Sequence, residues 1–253
     1  MPRIARKNSN SNFYHIIVQG INKQYIFDKS ELINKYMQII IEKKEKSNVT
    51  ILAYFILNNH VHFLIYSEKV EYLSKFMQRV NTTYSKFYNK IYKRVGYVFR
   101  DRYYSQNILN QRHLYGCIKY IHNNPVKANM CKTMSEYKYS SYNEFLKKKM
   151  IINDDSIELL FGKNKDYKND FDFIHKIKCS DDFDFEDIKD KEITNLIKEF
   201  EKNHNKNIEE IKQDRNILKQ FIQDARKETD TTLMELSEIL DLSKSTIYNY
   251  CKK

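Results

Sequence analysis

Residues 49–57 are almost continuously apolar, interrupted only by Thr50 and Tyr54, and an alternating stretch begins at His60 just after them. An apolar run of this length fits a strand covered on both faces. Asn58 and Asn59 have turn character, and beyond them Val61, Phe63 and Ile65 alternate with His60, His62, Leu64 and Tyr66. The pattern predicts a hairpin in the middle of a sheet, which restricts the chain to folds with a β core. Because side chains repeat every two residues in a strand, His60 and His62 leave the same face and can converge on one cation or one phosphate. Histidines at this spacing also occur on half-exposed strands that bind nothing.

The flanking segments extend the sheet into a known topology. Residues 13–19 read as a strand and Gly20-Ile21-Asn22 as a turn, and Asp28 with Glu31 three residues on has the form of a capping box opening a helix. Leu32, Ile33, Tyr36, Met37 and Ile40 keep helical spacing up to Lys43-Lys44. After the hairpin, Leu73, Phe76, Met77, Val80, Tyr84, Phe87 and Ile91 form one apolar stripe over five turns, and residues 103–108 read as a short strand. Strand, helix, strand, strand, helix, strand is the split βαβ of the ferredoxin-like (RRM-like) plaits, an α+β class, with one further helix from Gln111 to about Asn123.

Charge divides the chain. Residues 1–150 hold 26 Lys+Arg against 9 Asp+Glu, and residues 151–253 hold 18 against 24. The basic half is the nucleic-acid candidate, although a chain so rich in lysine also has lysines that serve only solvation. Residues 151–200 are expected to be a partly ordered acidic connector, built around Asp181-Asp182-Phe183-Asp184-Phe185-Glu186-Asp187, and residues 201–253 a helical domain. An amphipathic helix is expected over 208–225, then a helix, a short turn at Asp241-Leu242 and a second helix capped by Ser243. The absence of an 18-residue apolar run or a signal-peptide pattern leads to the expectation of a cytoplasmic protein with no membrane partner. Cys117, Cys131, Cys179 and Cys251 lack the paired spacing of a zinc ribbon and are expected to be reduced and incidental.

On the helix from Gln111, the stripe Leu114, Cys117, Ile118 and Ile121 sets the buried direction. At 100° per residue, Tyr120 lies roughly 105° from the centre of that stripe and Asn124 about 40° from Tyr120. The two therefore share a flank, one turn apart. Pro125 disfavours helical geometry at the residue before it, so Asn124 is expected at the helix end.

His60-Val61-His62 followed by Tyr120-Ile121-His122-Asn123-Asn124-Pro125-Val126-Lys127-Ala128 resembles the single-tyrosine HUH transposases, most closely the REP-associated tyrosine transposases. Met1-Pro2-Arg3, Tyr14-His15 leading to Gly20, and Val98-Phe99-Arg100-Asp101-Arg102-Tyr103-Tyr104-Ser105 add to the likeness, which spans about residues 1–145. The resemblance implies that residues 1–150 form the transposase domain. It implies that His60, His62 and Asn124 hold one Mg²⁺ or Mn²⁺, and that Tyr120 attacks phosphorus to give a 5′-phosphotyrosine and a free 3′-OH. Mixed nitrogen and oxygen ligands would also suit zinc, so the choice of metal comes from the family. The covalent link conserves the phosphodiester energy. No nucleotide cofactor is then required, in keeping with the lack of a GxxxxGK loop. His122 is expected to be a surface residue, with a helper role conceivable.

The implied partner is single-stranded or hairpin-ended DNA, with a homodimer open. Arg3, Arg6, Lys7, Arg100 and Arg102 are candidate contacts, since bases stack on exposed rings while Lys and Arg follow the backbone. Residues 236–248 are similar to a helix-turn-helix in which Asp241 takes the usual glycine position, a left-handed turn that Asp tolerates, leaving Lys244, Ser245, Thr246 and Tyr248 to face DNA. Two alternatives stay open: a non-cleaving DNA-binding descendant, and a metal-independent RNA endonuclease using its histidines as acid and base.

Overall fold

The structure is a computed structural model, and it describes residues 9–147, 149–163, 166–176, 185–228 and 233–251. The chain divides into two compact units, residues 5–181 and a unit formed mainly by residues 182–253.

In the first unit, β1 (Phe13–Gln19), α1 (Ser30–Lys44), β2 (Thr50–Ile56), β3 (His60–Tyr66), α2 (Val70–Ile91) and β4 (Tyr104–Asn107) follow the expected order. The strands pair antiparallel in the spatial order β2-β3-β1-β4, as the ferredoxin-like plait requires. Alternation assigns the two faces. Tyr14, Ile16 and Val18 pair in register with Ile65, Phe63 and Val61 on one face, and α1 and α2 pack together with the buried rings of Phe27, Tyr36 and Tyr84. His15 and Ile17 share the opposite face with His62 and Leu64, and that face is covered by α3 (Gln111–Lys127), which packs on β2 and β3. Gly20 ends β1 where a Cβ would lie 2.4 Å from the Gln24 carbonyl oxygen, so the turn returning the chain to Asn58 admits no side chain there.

Three local expectations change. Helix α1 has Lys29 as its N-cap with no side-chain capping bond, so Asp28 and Glu31 do not form a capping box. Helix α3 runs through Pro125 to Lys127, with the Ala128 N–H donating to the Asn124 carbonyl at 2.9 Å. Asn124 is therefore inside the last turn and not at a frayed end. Proline costs one intrahelical bond, and so near a terminus the remaining turn can still close.

Part of the expected acidic connector is ordered in the first unit. Helices α4 (Tyr142–Leu146), α5 (Asp154–Phe161) and α6 (Lys168–Lys176) follow α3, α5 packing on β2 and α6 on α3, with Ile151, Ile152, Phe171 and Ile174 buried. The buried Glu144 carboxylate organises this region. One oxygen accepts the Tyr54 hydroxyl, and the other accepts the backbone N–H groups of Met150, Ile151 and Ile152, each at 2.8 Å. Glu144→Ala would strand four donors, three of them buried, and we expect it to lower stability by about 3 kcal/mol or more, read by urea denaturation.

In the second unit, α7 (Phe185–His204), α8 (Ile208–Gln213), α9 (Arg215–Glu228), α10 (Leu233–Leu240) and α11 (Lys244–Cys251) enclose Phe200, Ile211, Leu218, Phe221, Ile222, Leu236, Leu240 and Ile247. The single helix expected over 208–225 is two, because Asp214 is extended at φ −90°, ψ 103° and its carboxylate accepts the N–H groups of Asn216 and Ile217, starting α9 afresh. The turn between α10 and α11 has the expected form: Asp241 sits at φ 50° and Ser243 Oγ caps α11 through the Thr246 N–H. Among the described residues, no helix is long and apolar enough to cross a membrane.

Candidate active site

Strand register gathers the site. His62 lies between its direct partners, Phe55 on β2 and Ile17 on β1. Phe55 stacks on its imidazole at 4.6 Å between ring centroids. His15, two residues from Ile17, is the diagonal neighbour of His62, and side chains at that offset are within mutual reach. His15 Nε2 and His62 Nδ1 are 2.9 Å apart, and both residues are buried. His60, one strand period away, has its ring 5.1 Å from that of His62 and its Nδ1 2.7 Å from Asn59 Oδ1. Both imidazoles thus turn Nδ1 to a neighbour, and Nε2 is the atom that an ion would take on each.

Helix α3 supplies the roof. Its apolar stripe faces β2, and Tyr120 on the flank swings over the histidines, 5.6 Å from His62 and 5.9 Å from His15 between ring centroids. Tyr120 is 5% exposed. Asn124 follows one turn later and is half-buried, and Lys127 completes the flank with Nζ 5.8 Å from the centre of the Tyr120 ring. Tyr120, Asn124 and Lys127 stand at i, i+4 and i+7, so they form a single ridge.

Burial controls the ionisation of this centre. Desolvation lowers His15 to about 4, with the side chain of Gln106 acting in the opposite direction and His113 adding a small lowering. His62 is pushed well below the ordinary imidazole value, first by desolvation and then by His15 and His60. Both rings are held neutral at pH 7, the form that can bind a cation.

The donor set suits one divalent ion with open positions: two imidazole nitrogens and, on the ridge above, an amide oxygen. Among the described residues, no cluster of three His, Cys, Asp or Glu side chains is placed to hold a metal.

Of the DNA candidates, Arg100 adjoins the centre. Its backbone N–H and its guanidinium hydrogen-bond Gln19, the register partner of His60. Arg102 is exposed nearby, Lys244, Ser245 and Tyr248 are exposed on α11, Thr246 is half-buried there, and Arg3, Arg6 and Lys7 lie outside the described residues. The sequence assigned no role at the centre to three features: His15, Lys127, and an exposed rim in which Tyr25, Val95 and Tyr97 are 62%, 94% and 82% exposed. Arg94 ties this rim together by donating to Gln24 Oε1 and to the Tyr97 carbonyl. The Tyr14-His15 motif pointed to His15, but strand spacing alone cannot show a partner on another strand.

His122 is not a surface residue. It is fully buried, with Nδ1 2.8 Å from His175 Nε2 and Nε2 2.7 Å from Ser141 Oγ, in a cluster with Tyr142, Phe145 and Phe171.

Residues 8–124 match the family model described as transposase IS200 like. A solved structure of a REP-associated tyrosine transposase bound to a REP hairpin is 17% identical, covering 59% of this chain and 88% of that one with a TM-score of 0.48. No curated protein matches.

Proposed function

We propose, from the match of residues 8–124 to the IS200-like transposase model, that the chain is a transposase of this kind, a metal-dependent strand transferase that cleaves and rejoins single-stranded, hairpin-ended DNA through Tyr120. The observation that carries the reading is the Tyr120 ring packed against His62, whose ring neighbour is His60, on a ridge that also bears Asn124 and Lys127. His60, His62 and Asn124 would hold one Mg²⁺ or Mn²⁺, which when bound polarises a phosphate oxygen and neutralises charge developing on it.

The chain's own residues do the rest. The Tyr120 oxygen attacks phosphorus, the new O–P bond replaces the bond from phosphorus to the 3′ oxygen, and the departing 3′ oxygen takes up a proton equivalent to the one the phenol gives up. A phenol is a weak nucleophile near neutrality, with a pKa of about 10. The Lys127 ammonium, held against the ring, favours negative charge on that oxygen and on the phosphate. Reversal with another 3′-OH rejoins the strand without external energy. Arg100, Arg102 and the rim of Tyr25 and Tyr97 would carry the unpaired strand, rings for bases and guanidiniums for phosphates. Helix α11 would offer Lys244, Ser245, Thr246 and Tyr248 to DNA as a recognition helix.

The test is incubation with end-labelled single-stranded DNA from the flanks of the protein's own gene. A labelled, denaturation-resistant protein band in Mn²⁺ that disappears in EDTA is expected. Salt-sensitive binding with no nick would indicate a binding-only descendant, and RNA cleavage persisting in EDTA would indicate the ribonuclease reading. Lys127→Ala should slow adduct formation by about 10-fold to 100-fold while leaving DNA binding within a few-fold, since one charge aimed at the reacting group contributes on that order.

A further inference from the structure

We propose that His175 is a positioning residue: through His122 and Ser141 it locks α3 to β2 and so holds Tyr120 over His62. The inference rests on Tyr120 being the nucleophile. It gives a task to Ser141 and His175, which both lie beyond the residues that match the transposase model.

The apolar stripe of α3 lies on the sheet with Tyr120 on one flank, and at 100° per residue His122 falls roughly 90° to the other side of that stripe. Apolar contacts are non-directional, so the stripe alone leaves α3 room to roll or slide. The His122 flank supplies direction. Ser141 is tied twice to one residue of β2, its Oγ accepting the Tyr54 N–H and its own N–H donating to the Tyr54 carbonyl, both at 2.9 Å. His122 Nε2 lies 2.7 Å from Ser141 Oγ, and His122 Nδ1 lies 2.8 Å from His175 Nε2. His175 Nδ1 is fixed in turn 2.7 Å from the Phe171 carbonyl of its own helix. The two imidazoles stack 12° from parallel, with Phe171 and Tyr142 against both. Ser141 and His122 are fully buried, so any other setting of α3 would strand polar groups away from water. The strand end of this strut adjoins the site. Tyr54 precedes Phe55, whose ring stacks on the His62 imidazole, and Tyr120 stands two residues before His122. A closed path therefore runs from His62 through Phe55, Tyr54, Ser141 and His122 to Tyr120, whose ring returns to His62 at 5.6 Å. A shift of about 1 Å at a reacting group can cost on the order of 100-fold in rate, which is the margin the strut protects.

Single-turnover adduct formation with end-labelled, hairpin-ended single-stranded DNA in Mn²⁺ separates the chemical step from binding. His175→Ala should slow it about 10-fold to 100-fold at saturating DNA, with the dissociation constant within a few-fold of wild type. His175→Gln, whose side-chain oxygen can accept from His122 Nδ1, should restore the rate to within a few-fold. Leu160→Ala on α5, a buried deletion outside the strut, should lower the urea midpoint and leave the rate within a few-fold of wild type. An unchanged rate in His175→Ala, or an equal loss in Leu160→Ala, would overturn the proposal. A second readout needs no activity. Nuclear Overhauser contacts between the Tyr120 and His62 rings of the metal-free protein should be present in wild type and His175→Gln and weakened in His175→Ala, and contacts of wild-type strength in His175→Ala would count against the strut. If His175→Ala does not fold, Ser141→Ala removes the next link and is read in the same way. Wild type forming no adduct would sink the Tyr120 reading instead, while the ring contacts would still decide whether the strut sets α3.

Discussion

Tyr120→Phe should abolish the covalent protein–DNA band, a loss on the order of 10³-fold or more, as expected when the nucleophile of a covalent mechanism is removed. The substitution deletes one oxygen and retains the ring that packs on His15 and His62 at 5.9 and 5.6 Å. Folding, Mn²⁺ affinity and hairpin binding should therefore be unchanged. With twenty tyrosines in the chain, the discriminating measurement is peptide mapping of the wild-type adduct. The nucleotide mass belongs on the peptide containing Tyr120. An adduct at wild-type level in Tyr120→Phe, or a label on the exposed Tyr25 or Tyr97, would refute the assignment.

The second large effect is acid lability away from the metal centre. His122 and His175 stack at 5.1 Å between centroids in a buried cluster, and both are lowered, His122 first by desolvation and then by His175, and His175 first by desolvation, against an opposing pull from its bond to the Phe171 carbonyl and from Asp172. The polar contacts close with both rings neutral: His175 Nδ1 donates to Phe171, His122 Nδ1 donates to His175 Nε2, and Ser141 Oγ donates to His122 Nε2. The sign follows from linkage. Above pH 6.5 these rings are neutral in the folded and unfolded chain alike and pH has no effect through them. Below it the unfolded chain takes up protons that the folded one refuses, so stability falls as pH falls. Each ring kept neutral contributes a slope of about 1.4 kcal/mol per pH unit. In the metal-free protein His15, lowered to about 4, and His62 act in the same direction. Even if each of the two pairs accepts one proton, the slope between pH 6 and 5 is about 3 kcal/mol per unit, above the range where most carboxylates titrate. Urea midpoints measured every half unit should fall steeply from pH 6.5 to 5, and His175→Gln should flatten the curve. A flat wild-type profile in that interval would contradict neutral burial of these rings.

Much of this architecture is legible in the sequence because period two and period 3.6 are visible without coordinates. The hairpin, the α2 stripe and the Tyr120–Asn124 flank each follow from spacing within one element. What stayed hidden depends on contacts between elements. His15 meets His62 through a diagonal register across β1 and β3, and nothing in residues 13–19 announces that offset. His122 looks solvent-facing on α3 taken alone, and the docking of α4 and α6 buries it. The acid-rich stretch 151–190 reads as a partly ordered connector, but its charge does not show how its first part is held: Glu144 binds three consecutive N–H groups at its start, and Ile151, Ile152, Phe171 and Ile174 pack inward. Pro125 obeys a local steric rule that the end of α3 overrides, with a consequence for the site: Asn124 keeps its helical direction and stays on the Tyr120 ridge.

The central claim is that two strand histidines and a helix amide converge on one ion beneath Tyr120. Crystals grown with Mn²⁺ and a hairpin-ended single strand test it directly, through the anomalous signal of manganese. The account predicts one manganese peak at coordination distance from His60 Nε2, His62 Nε2 and Asn124 Oδ1, with the scissile phosphate bridging it to the Tyr120 oxygen. Manganese bound elsewhere, or Asn124 and Tyr120 turned away from both imidazoles while DNA is held, would contradict it.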